Sequence, residues 1–165
     1  MTRATHAAMI AALSLAWASA SDAPLLSRER ALIERWLGCI ECDIALDSLR
    51  AVGARNPAAT IDVLNGTLRT GPPHEKILSA DSALRVSFVR DSAYRARTGR
   101  GTIPRRDDYV ADGRERYRTA YQIRGAIGLG WIGTPAAKAR LDSAATLPLP
   151  ADVKAAIAFA RDSLP

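Results

Sequence analysis

Proline and glycine cut this chain into segments within which apolar residues recur every three or four positions. Asn56-Pro57 pairs a helix-capping side chain with a proline at the first helical position, where no N–H is needed. Gly71-Pro72-Pro73 and Gly133-Thr134-Pro135 each end one helical pattern and open another, and residues 148–150 (Pro-Leu-Pro) make a further turn. Between the breaks the spacing is that of one helix face. Ser27 caps a first pattern carrying Leu32, Ile33, Trp36, Leu37 and Ile40, and Ala45, Leu49 and Val52 follow over about residues 43–52, with Gly53 as the stop. Ile61, Leu64 and Leu68 line the next segment. Ile77, Leu84 and Phe88 mark a longer one over about 74–96. From about residue 108, Tyr117, Ala120, Ile123 and Ile127 share a face. Ala137, Leu141 and Ala144, then Val153, Ile157, Ala160 and Leu164, complete the set. Residues 98–106, with Gly99, Gly101 and Pro104, read as a flexible loop. No run alternates with period two, so the expected fold is all-α.

The first twenty residues read differently. Arg3 and His6 precede an almost unbroken apolar run from Ala7 to Ala18, and Ala18-Ser19-Ala20 offers the small residues that signal peptidase accepts. Twelve apolar residues are too few to cross a bilayer, which needs about 20. The expectation is a cleaved signal peptide over residues 1–20 and a single domain over 21–165, working in the bacterial periplasm or outside the cell. That length suffices for one core.

Two stretches of the chain can be superimposed. Residues 45–59, ending Asn56-Pro57-Ala58-Ala59, align with residues 123–137, ending Thr134-Pro135-Ala136-Ala137, at a constant offset of 78 residues. Half that offset is close to the period of helix-pair repeats, about 40 residues. The segment Ile123-Arg124-Gly125-Ala126-Ile127-Gly128-Leu129-Gly130-Trp131-Ile132-Gly133-Thr134-Pro135-Ala136-Ala137 resembles the signature of HEAT and HEAT-like (PBS-lyase-type) helical repeats, in which an Arg-bearing helix ends in a Leu-Gly-x-Ile-Gly turn. The resemblance covers residues 117–160 well and 40–73 loosely, and residues 74–104 depart from it. It implies a short right-handed solenoid of antiparallel helix pairs, used chiefly to bind other macromolecules.

Cys39 and Cys42 are the most pointed chemical feature. After export a disulfide is the default, and helical geometry sets residues three apart at about 5 Å, within reach of such a bond. Closing so short a loop stabilises by about 2 kcal/mol. A thioredoxin-like redox pair requires a βαβ context that the pattern lacks. Haem attachment requires a histidine where Asp43 stands, and zinc requires two further ligands although His74 is the one histidine after residue 20.

Arginine is the second feature, outnumbering lysine twenty to three. Eleven arginines fall within residues 85–124 against five acids, Asp91, Asp107, Asp108, Asp112 and Glu115. Ion pairing on a solvated surface accounts for such a segment. The alternative is an anion-binding site at Arg97, Arg100, Arg105 and Arg106. Asp107-Asp108 ahead of a helix suit its positive end. Gly125, Gly128, Gly130 and Gly133 follow no strand and form no phosphate-loop pattern, so close helix packing and a sharp stop are the expectation. Trp36 and Trp131 read as packing residues.

These readings converge on an exported, non-enzymatic binding or scaffold protein with no catalytic residue, cofactor or metal. The expected partner is a protein, with an anionic envelope component second and nucleic acid disfavoured by export. A thiol–disulfide role for Cys39 and Cys42 is the alternative from another class.

Overall fold

The computed structural model describes residues 24–38 and 43–162. Residues 1–20 and the Cys39–Cys42 pair lie outside that range. The described chain forms seven helices and no strand: α1 (Ser27–Gly38), α2 (Asp43–Arg55), α3 (Pro57–Thr70), α4 (His74–Thr98), α5 (Arg106–Ile132), α6 (Pro135–Ala145) and α7 (Ala151–Asp162). The all-α expectation holds.

The breaks work as local chemistry requires. Pro57 and Pro135 occupy first-turn positions of α3 and α6. The Thr134 hydroxyl oxygen accepts the Ala137 N–H at 3.2 Å, satisfying one orphan donor of α6. Gly133 adopts φ +65°, and its N–H closes the end of α5 on the Leu129 carbonyl. That left-handed geometry favours glycine over any residue with a Cβ.

Two helix boundaries differ from expectation. Gly53 does not stop α2, which continues to Arg55. It is buried, and a Cβ there would stand 2.2 Å from the Ile132 Cδ1, so its role is to let α5 approach. Nor does Ser27 cap α1. The Leu26 carbonyl accepts the first helical bond from Arg30, and Glu29 reaches back to the Leu26 N–H at 3.1 Å, half of a capping box.

The organising element is α5, which packs against each of the other six helices. In a linear stack each repeat meets its sequence neighbours. Here α1, α2 and α3 also gather on α5, and α3 reaches α6. The core comprises Ile33, Leu49, Val52, Leu64, Leu68, Leu129, Leu141, Val153 and Ile157, all essentially inaccessible.

The buried face of α5 holds Tyr121, Gln122, Gly125, Ala126, Gly128, Leu129 and Gly130. The sequence pattern places that face one step round, on Tyr117, Ala120, Ile123 and Ile127. Of these Ala120 is exposed and the others are only partly covered. The reason is that neighbouring helices come in to backbone distance. A Cβ on Gly125 would lie 2.8 Å from the Leu64 carbonyl oxygen and from the Leu68 nitrogen, and one on Gly128 would lie 3.0 Å from the Trp36 indole nitrogen. The glycine-rich segment is thus a packing surface, as its sequence context suggested.

Candidate interaction surface

Helices α4 and α5 pair as an antiparallel hairpin whose outer half stands clear of the core. At 1.5 Å per residue, the 25 residues of α4 span roughly 37 Å. No residue of α4 is buried, and among the described residues its extended packing is on α5 alone. One face of α4 makes that contact. Leu84 lies over Gly113, where a Cβ would approach to 2.4 Å. The Phe88 ring meets Tyr109 edge-on at 5.5 Å, and the Tyr109 hydroxyl donates to Asp91 at 2.8 Å. Arg114 grips Asp81 with two hydrogen bonds, one from Nε to Oδ1 at 2.9 Å and one from Nη2 to Oδ2. This guanidinium, chiefly through its hydrogen bonds, holds the Asp81 carboxyl below the usual range.

The opposite flank of α4 is apolar and uncovered. Leu78, Val86 and Val89 are 54%, 72% and 64% exposed, and their spacing of eight and three places them on one side of the helix. Isolated exposed apolar residues need no explanation, but an aligned set on a helix that buries nothing makes this flank a candidate interaction face. The sequence pattern names Ile77, Leu84 and Phe88, which are the partly covered residues facing α5. It does not register the second stripe, although the residues spell it.

The apex separates the arginines into two groups. Arg90, Arg114, Arg116 and Arg118 pair with Asp91, Asp81, Asp112 and Glu115. Arg97, Arg100, Arg105 and Arg106 are exposed and make no ion pair among the described residues. The loop between α4 and α5 folds back on the helix end, where the Arg95 guanidinium donates to the Thr102 carbonyl at 2.7 Å. Gly99 and Gly101 supply the positive φ angles of that return. Asp107 and Asp108 fall in the first turn of α5, where they face the positive helix end but make no cap, since Arg105 holds the N-cap position without a side-chain bond.

Elsewhere polar groups bind helices together. Glu29, only 3% exposed, accepts from the Leu26 N–H, from Arg55 at 3.2 Å and from the Asn56 amide at 2.9 Å, tying the start of α1 to the α2–α3 junction. Trp36 donates to the Arg124 carbonyl while Arg124 donates to the Trp36 carbonyl, at 3.2 and 3.1 Å. Trp131 packs under the Arg50 guanidinium at 4.2 Å. Both tryptophans serve packing. A groove of about 260 Å³ between α1, α3 and the start of α4 has Leu37, Val63, Pro72, Pro73 and Tyr121 among its lining residues. Burial pushes the Tyr121 hydroxyl well above the ordinary tyrosine range, so it remains a neutral phenol in hydrogen-bond contact with Tyr117. His74 sits exposed at the first position of α4.

The fold and its surface define an all-helical protein with one projecting hairpin. No known protein family, curated protein or solved structure matches the chain.

Proposed function

We propose that this is an exported, non-enzymatic binding or scaffold protein that docks a protein partner on the outward flank of α4. The observation carrying the reading is the aligned exposure of Leu78, Val86 and Val89 on a helix with no buried residue. An amphipathic partner helix laid along that flank would cover all three, as in helix-in-groove recognition. The repeat resemblance of residues 117–160 supports a binding role, and the short unit of α5, α6 and α7, hinged at Gly133-Thr134-Pro135, is proposed as its helical hairpin. Export rests on the sequence of residues 1–20, and a Cys39–Cys42 disulfide would then staple the connection between α1 and α2.

The test is a triple substitution, L78S/V86S/V89S. Exposed positions of this kind change stability by no more than about 0.5 kcal/mol each, so the variant is expected to keep its helical circular dichroism and thermal midpoint. Capture of proteins from envelope extract by the intact chain is expected to fall at least tenfold with the variant. Equal capture by both chains would remove the α4 flank as the docking face.

A further inference from the structure

We propose that the apex of the α4–α5 hairpin docks on the surface of an anionic phospholipid bilayer, with Arg97, Arg100, Arg105 and Arg106 at the headgroup phosphates and Ile103 entering the interface. This goes beyond the protein-binding reading and stands without it, because it uses the end of the hairpin and not its flank. Three observations combine at this one place. The four arginines have no acidic partner among the described residues, whereas four other arginines of the hairpin do. Ile103 and Tyr94 are 46% and 49% exposed beside them. The hairpin also carries this apex away from the core, since α4 buries nothing and the first buried residue of α5 is Val110.

Charge sets the sign of the ligand, and Ile103 sets its phase. Residues 94–108 carry five arginines, Arg95 included, against two acids, Asp107 and Asp108, so the apex is strongly basic. A guanidinium is the side chain best shaped to grip phosphate oxygens. A soluble polyanion satisfies arginine equally well but gives an aliphatic side chain nothing to enter. Proteins that follow single-stranded nucleic acid use a groove with stacking aromatic rings, while the present site is a projecting tip. A bilayer interface accepts both groups: the arginines among the headgroups, Ile103 at the acyl boundary and Tyr94 at the level where tyrosine is favoured.

The test is co-sedimentation of the full chain with vesicles of phosphatidylglycerol and phosphatidylcholine at equal parts, against phosphatidylcholine alone. Binding is expected on the anionic vesicles and to weaken as sodium chloride rises from about 0.1 to 0.5 M, as screening requires. Each basic residue near such a surface is worth about fivefold in affinity, so R97Q/R100Q/R105Q/R106Q is expected to lose more than about a hundredfold. I103D is expected to lose about tenfold, and D107N/D108N to bind more tightly. These comparisons share one background, so any contribution from the apolar N-terminal residues cancels. Binding that ignores lipid charge, or that survives the fourfold arginine variant with its helical spectrum intact, overturns the proposal. Retention of I103D on anionic vesicles at full strength, with equal retention on a heparin column, would overturn it in favour of a soluble polyanion.

Discussion

Gly125 shows how one residue can set the distance between two helices. Alanine normally favours a helix over glycine by about 1 kcal/mol, but a Cβ at this position would press on the backbone of α3 at 2.8 Å. Backbone cannot move aside as a flexible side chain can, so G125A is expected to destabilise by about 1–3 kcal/mol net, the range of overpacked cores. Gly66, in α3, faces open space, with nothing within 4 Å of the point where a Cβ would stand, and G66A is expected to gain up to about 1 kcal/mol. Denaturant unfolding of the two variants checks the pair, and a stabilised G125A would contradict the close approach. Glu29 acts through charge. The Leu26 N–H first, and then Arg55, hold its carboxyl below the usual range against the opposing pull of burial. A lowered folded value means its contribution is complete above the unfolded value, about pH 4.3, and is lost as pH falls through the folded one. Accordingly E29Q is expected to lower the thermal midpoint at pH 7 and to converge on the parent in acid. An equal deficit at both ends of that range would show that carboxylate charge is not the cause.

The two longest elements differ in how they are held. In its C-terminal half α5 is enclosed on several sides, with Gly125, Ala126, Gly128 and Leu129 buried. Its first turns pack on α4, through the Arg114–Asp81 pair, the Phe88–Tyr109 contact and Leu84 on Gly113. Helices of this length owe most of their stability in proteins to packing of one face, and local opening follows the density of buried contacts. Amide hydrogen exchange is therefore expected to be faster throughout α4 and residues 106–113 than in residues 121–130, by at least about tenfold. Uniform protection along α5 would mean that the hairpin and the core open as one unit. A projecting element with no buried residue is also suited to the two surface roles proposed for it, since docking on its flank or apex disturbs no core contact.

At the scale of the whole molecule, the sequence by itself determined the helical class and most of the breaks. Proline's missing N–H and glycine's access to positive φ are local properties, and they placed the starts at Pro57 and Pro135 and the end at Gly133 without reference to any neighbour. It also determined the inward faces of the shorter helices: Ala45, Leu49 and Val52, then Ile61, Leu64 and Leu68, then Ala137, Leu141 and Ala144 are all buried. Tertiary structure decided the rest. The pattern misreads the face of α5 because burial there is achieved by glycines that let backbones touch, and a residue with no side chain leaves no apolar signal in a periodicity. It makes Gly53 a stop because, in sequence, a glycine that ends a helix looks the same as one that admits Ile132. It does not say which of the eleven arginines of residues 85–124 are ion-paired, since charge pairing depends on distances that only the fold supplies. Packing α4 on α5 brought Asp81 to Arg114, left the arginines of the apex without an ion pair among the described residues, and turned Leu78, Val86 and Val89 outward. An amphipathic helix specifies that it has a face to cover, but which of two faces is covered follows from the arrival of another helix, here α5.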